Sequence, residues 1–211
     1  MIDLHYFPME DILMALNLEK VRLEKKGDSR VLSSNEAHAK LLWKTKVDLD
    51  LYAIALPKGV ASTKKKGFFG KIADAIGGDS GSASNEEIQV NYQNRSRMLR
   101  ESFPYITLDK DAGVGDKVDG DFNEENLHFY DISKHDHILV VANIFNKNTN
   151  FSQYNGGVTI TCGSEEIHVP LTETKQGSWC TVARIDNTGS APKLINVNKT
   201  QSSKPKVSEF I

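Results

Sequence analysis

The sequence predicts a mainly β protein, a β-sandwich with a few short helices. Two observations carry this. Short runs rich in β-branched and aromatic residues recur along the chain, separated by turn residues, which is the pattern of a sandwich. At 211 residues and 39% hydrophobic content, the chain can also bury one core as one domain, or one domain with a small appendage.

Residues 9–17 (MEDILMALN) suit a short helix, with Ile12, Leu13 and Leu16 on one face and acids near its start. In LEKVRLEKKGDSRVL, Lys26-Gly27-Asp28 reads as a turn between two strands. AHAKLLWKT leads into VDLDLYAIAL, where Val47, Leu49 and Leu51 alternate with Asp48, Asp50 and Tyr52 before an apolar run. This is a strand with one buried face that enters the core after an acidic start. Residues 57–94 form a long insert. It holds Lys64, Lys65 and Lys66, a short amphipathic stretch and a Gly/Ser-rich tract with linker composition. EEIQVNY suits a strand or a helix start, and FPYITL reaches a strand. LHFYDI and HILVVANIF read as strands with Lys134-His135-Asp136 as the turn, GGVTITCG and EEIHVPL as a hairpin around Gly163-Ser164, and GSWCTVARIDNTG as another strand. Residues 198–211 read as a polar, loose tail in which Phe210 and Ile211 have the apolarity to dock.

A net charge of −2 and a pI near 6.3 give no reason to expect nucleic-acid binding. The stretch 1–20 opens with an acid rather than a basic run, unlike a secretory leader, and no run of 18 apolar residues offers a membrane span. The expectation is a soluble, cytoplasmic protein in which Cys162 and Cys180 are buried, reduced thiols.

The segment from Leu108 to Leu127 holds Asp109, Asp111, Asp116, Asp119, Asp121, Glu124 and Glu125 against Lys110 and Lys117, seven acids against two lysines. Carboxylates at this density repel one another, and Gly113, Gly115 and Gly120 let the backbone fold back. A folded loop of this kind asks for a cation, and hard oxygen donors select Ca2+ over Zn2+. It is not an EF-hand, because neither the ligand spacing nor flanking helices are present. Asp48 and Asp50, two apart in a strand, share a face and repel unless a cation bridges them.

Taken in order, LEKKGDSRVL, VDLDLYAIAL, FPYITLDKD, EENLHF, ILVVANIF, GGVTI and SWCTVARIDNTG resemble the TerD (tellurite-resistance, chemical-stress) domain family across Leu18 to Leu194. The resemblance implies a β-sandwich over about 18–197 that binds Ca2+ through acidic loops at one end, with no established enzymatic activity, so the expectation is a protein that is not an enzyme. It also implies a setting in bacterial stress or phage-defence operons or in phage genomes, so a virion-associated location if phage-encoded. It places Asp48 and Asp50 at the family's D-x-D motif, Asp109 and Asp111 at the start of the acidic loop, and Asn123 to Asn126 at its end. The direct Ca2+ ligands implied are Asp48, Asp50, Asp109, Asp111 and Asp121, with Glu124 and Glu125 as weaker candidates. Where the family continues with an acid, an arginine and a threonine, this chain has Ala112, Gly113 and Val114.

The expected role is a non-catalytic sensor or scaffold in a stress response, with a protein partner. The alternative is a structural protein of a stress complex or virion that uses the sandwich adhesively, with oligomers allowed. Phe68, Phe69, Ile72, Ala75 and Ile76 give residues 64–77 a helical apolar face, read as a local helix over the sandwich edge rather than a membrane-surface or partner-docking segment. His135 and His137 make an H-x-H without further Zn2+ ligands and read as surface turn residues. Cys180 beside Trp179 reads as a packed thiol, since no base accompanies it.

Overall fold

The computed structural model describes residues 18–44, 47–59, 87–94, 100–109, 123–145 and 147–211. Within them, two six-stranded sheets face each other. The first runs in the order β1 (Glu19–Arg22), β11 (Glu165–Pro170), β10 (Gly157–Cys162), β3 (Ala37–Trp43), β7 (Asn123–Phe129), β6 (Ile106–Leu108). The second runs β2 (Ser29–Val31), β14 (Lys193–Gln201), β13 (Trp179–Asp186), β8 (His135–Ile144), β4 (Leu49–Pro57), β5 (Ile88–Val90). A small third sheet joins β9 (Thr149–Asn150) to β12 (Gln176–Gly177). The helical content of the described residues is three short 3-10 turns, at Ile132–Lys134, Phe151–Tyr154 and Val207–Glu209.

β3 shows how alternation builds the core. Ala37, Ala39, Leu41 and Trp43 are buried between the sheets, while His38, Lys40 and Leu42 are half-exposed on the outer face. Burying each leucine-sized side chain in this way contributes about 1.5–3 kcal/mol. β4 and β8 behave differently, for every residue in both is buried. Leu49, Leu51, Ala53 and Ala55 face the intersheet core, and Tyr52, Ile54 and Leu56 join Leu139 and Val141 in a second apolar cluster on the outer face. Both strands are covered on two sides, so they read as continuous apolar runs rather than alternating ones.

The cover on that outer face is the C-terminal segment, which corrects the expectation of a loose tail. β14 carries the chain to Gln201, Val207 is fully buried in the outer cluster, and Phe210 packs against it. The Val207 amide donates to Glu87 Oε1 at 2.9 Å, so the end of the long insert, which also forms β5, clasps the C-terminus. The expected helix at 9–17 and the stretch 64–77 lie outside the described residues.

The turn at Lys26-Gly27-Asp28 is present, with Gly27 at φ +89° in the left-handed region open to glycine. The strands it joins do not pair with each other. β1 adds in parallel to β11 of one sheet and β2 adds antiparallel to β14 of the other, so the chain crosses between sheets here. Arg30 Nε donates to Glu165 Oε1 at 2.8 Å and ties the two layers on that side. The β10–β11 hairpin turns at Gly163-Ser164 as expected.

A second correction concerns the histidines. The turn before β8 is the 3-10 turn Ile132–Lys134, capped by Asp131, and β8 already begins at His135. His135 and His137 are therefore buried strand residues, not surface turn residues. Both thiols are free and buried, as expected. No helix among the described residues is long and apolar enough to cross a membrane.

Candidate metal centre

Register decides which loops meet. Trp43, the last residue of β3, pairs with Asn123, the first of β7, so the β3–β4 connection and the end of the acidic segment lie at one end of the sandwich. Trp43 Nε1 donates to Val47 O at 2.7 Å and pins that connection. Asp109 follows the last residue of β6, and its amide donates to Asn126 O at 3.0 Å, which brings the start of the acidic segment to the same end. The end of β8 joins them through the pairs Leu49–Ile144 and Asp50–Asn143.

Each candidate ligand then takes its position from its strand. β4 starts at Leu49, so Asp48 precedes the strand and is half-buried. Asp50 is buried, on the face of β4 that carries Tyr52 and Ile54. Glu125 lies on the opposite side of the problem. It shares the inward face of β7 with Leu127 and Phe129, is fully buried, and its Oε2 accepts from Leu51 N of the facing sheet at 2.6 Å. Glu124 faces outward, where Lys40 Nζ stands 3.2 Å from its Oε2 and Asn126 Nδ2 donates to Oε1 at 3.4 Å. The Lys40 contact holds the Glu124 carboxyl below its ordinary range. Asp109 accepts from the Asn126 amide at 3.3 Å and from Asn126 Nδ2 at 2.7 Å. Asp111 and Asp121 lie outside the described residues.

The described candidates thus share one end of the fold but face three ways. Among the described residues no group of three His, Cys, Asp or Glu side chains is placed to hold a metal ion. The donor chemistry nonetheless fits an oxygen-seeking cation: the gathered side chains are carboxylates and amides, and Asp50 and Glu125 are taken almost wholly out of water.

Asn126 is the residue that sequence reasoning undervalued, since it clamps both Asp109 and Glu124. Beside it, His38 and His128 are cross-strand partners with rings stacked at 4.5 Å. The even-numbered positions of AHAKLLW and NEENLHF carry that signal, because they place His38, Lys40, Glu124, Asn126 and His128 on one outer face. Two other reactive candidates are accounted for by packing. Burial pushes the Cys180 thiol up to about 12, so it holds no thiolate at neutral pH. His135 Nε2 pairs with Pro104 O at 2.7 Å, and burial lowers the pKa of both His135 and His137.

No family model matches the chain, and no curated protein matches it. Among solved structures the chain is similar to a homologue of the telluride resistance protein TerD from Streptomyces coelicolor, with 14% sequence identity, a TM-score of 0.47, and coverage of 83% of this chain and 94% of that one.

Proposed function

We propose that this chain is a Ca2+-binding sandwich module of the TerD type, acting as a non-catalytic sensor or scaffold in a stress response. The observation that carries the reading is the pairing of Trp43 with Asn123, which brings the Asp48–Asp50 segment and the acidic segment to one end of the molecule. The order of sequence segments that resemble TerD domains supports it. Bound there, Ca2+ would meet the oxygen donors that it prefers. Asp48 and Asp50 would bind it, with Asp109 held ready by Asn126 at the mouth of the acidic segment. Because a ligand that prefers the folded chain stabilises it by mass action, about 2.7 kcal/mol at a hundredfold excess over Kd, metal would be linked to folding and to partner binding. Calorimetric titration of chelator-treated protein with Ca2+ tests this. Heat of binding with a saturable site is expected, and no binding at millimolar Ca2+ overturns it.

A second reading, an adhesive scaffold indifferent to metal, is favoured by the exposed large apolar side chains Val31, Phe103 and Phe145. Solution mass separates the two readings: a Ca2+-responsive monomer supports the sensor, a metal-indifferent oligomer the scaffold.

A further inference from the structure

We propose that His38 and His128 form a clamp for a divalent cation that favours imidazole, of the Zn2+ or Cu2+ kind, on the outer face of the first sheet. The clamp uses none of the Ca2+ candidates and does not rest on the Ca2+ reading.

Register builds the pair. His38 of β3 and His128 of β7 are direct cross-strand partners. Alternation turns both outward, and the two rings lie side by side with centroids 4.5 Å apart and planes 27° from parallel. Both are half-exposed, so a cation can reach them from solvent. Two imidazoles held this close can chelate, because once one nitrogen binds the second is already at hand.

Stacking accounts for the ring distance but not for the unmet polar atoms beside it. His38 Nε2 is buried and has no hydrogen-bond partner. Asn126, the diagonal neighbour of His38 on β7, is 6% exposed, and its Oδ1 also lacks one, so these two atoms do not pair with each other. The other end of that amide is engaged, for Nδ2 donates to Asp109 Oδ2 at 2.7 Å and to Glu124 Oε1 at 3.4 Å. Buried polar atoms left bare are uncommon in folded proteins, and a cation at this point satisfies a ring nitrogen and an amide oxygen together.

The surroundings suit a cation. Tyr130 stacks against His128 with centroids 6.1 Å apart, and Thr107 Oγ1 donates to its hydroxyl at 3.3 Å, which steadies the ring. Lys40, two residues along β3 on the same face, has its Nζ 3.2 Å from Glu124 Oε2, so a carboxylate answers its charge. Donor type then selects the ion. Imidazole nitrogen suits Zn2+, Cu2+ and Ni2+, whereas Ca2+ and Mg2+ seek oxygen. Among the described residues no group of three His, Cys, Asp or Glu side chains is placed to hold a metal ion, so two nitrogens bind and water fills the open positions. Such a site exchanges its ion readily and, when filled, staples β3 to β7.

The test is calorimetric titration of the full chain with Zn2+, and separately with Cu2+, in millimolar Ca2+ so that the carboxylates are offered the cation they prefer. One saturable site is expected, tighter for Cu2+ than for Zn2+, and weakened about tenfold or more by His38→Asn or by His128→Asn. A second measurement needs no variant. In proton–nitrogen correlation spectra of the imidazole rings, Zn2+ should move the His38 and His128 signals together and ahead of the other histidines. Absence of saturable Zn2+ binding, equal affinity in either variant, or unmoved His38 and His128 signals overturns the clamp. Titration with Ca2+ alone reports separately on the Ca2+ reading, so the two failures are told apart.

Discussion

Glu125 shows why a site read from composition needs a register to complete it. In sequence it is one acid of seven between Leu108 and Leu127, and nothing distinguishes it from Glu124. Alternation along β7 sends them opposite ways, Glu124 to Lys40 in solvent and Glu125 to the Leu51 amide across the core. Glu125→Gln keeps an oxygen acceptor for Leu51 N, so the metal-free fold should lose little. Glu125→Ala strands a buried amide and should cost about 1–3 kcal/mol. If Glu125 also holds Ca2+, the glutamine variant should show a smaller Ca2+-induced rise in Tm than wild type; an equal rise removes it from the site. The same logic applies to Asp48→Asn with Asp50→Asn. The double variant's Ca2+-induced Tm shift should shrink relative to wild type. Tm measured with Ca2+ and with chelator decides it, and equal shifts exclude the pair. Cysteine reactivity is a third residue-scale outcome. With Cys162 and Cys180 buried and both thiol pKa values raised by burial, neither should react with a thiol reagent at about pH 8 until urea unfolds the chain. Fast labelling of the native protein would contradict this packing.

At the scale of elements, legibility followed the number of covered faces. The β10–β11 hairpin was plain because Gly163-Ser164 separates two runs of matching length. The close approach of the Gly156-Gly157 pair was not plain. A Cβ at Gly156 would lie 2.5 Å from Leu42 O, and one at Gly157 2.6 Å from His168 Cε1. β3 went unassigned although Ala37, Ala39, Leu41 and Trp43 keep a strict period of two, because Leu42 fills the outward position between the last two and breaks the apolar–polar alternation. The crossing between β1 and β2 has no local signature, since a turn is chemically the same whether its strands pair or part. The C-terminus misled for a related reason. TQSSKPKVSEFI is polar on average, and only the apolar outer face of β4 and β8 gives Val207 and Phe210 somewhere to go. Val207→Ala removes about two methylene equivalents from a fully buried position, so it should cost about 2 kcal/mol in urea unfolding. A cost within the ±0.5 kcal/mol typical of surface changes would mean that the segment does not cover the sheet.

For the whole molecule, the buried and half-buried histidines couple the fold to pH. Burial lowers the pKa of His38, His135, His137 and His168 below the ordinary value of 6.5, so the native state keeps them neutral. The unfolded chain takes up protons at these sites once pH falls below about 6.5, where the native chain does not. More protons on the unfolded state means stability rises with pH, so what these histidines contribute is present above about 6.5 and lost as pH drops toward their depressed native values. Glu124, held low by its hydrogen bond to Lys40, acts in the same direction at lower pH: its contribution is present above the ordinary carboxylate range and lost as pH falls through its depressed native value. Acid should therefore destabilise the protein in two stages, the first beginning well above the carboxylate range. The measurement is the urea midpoint from about pH 8 to pH 5, with chelator present so that loss of metal does not mimic the effect. His137→Gln is the informative variant. It removes one titrating group whose Nδ1 lies 3.7 Å from Asp186 Oδ1 and keeps a neutral polar side chain, so the slope between about pH 6.5 and pH 5 should flatten. A wild-type midpoint that stays level across this window would mean that the histidines titrate alike in folded and unfolded chains, and that burial in β8 does not hold His137 neutral.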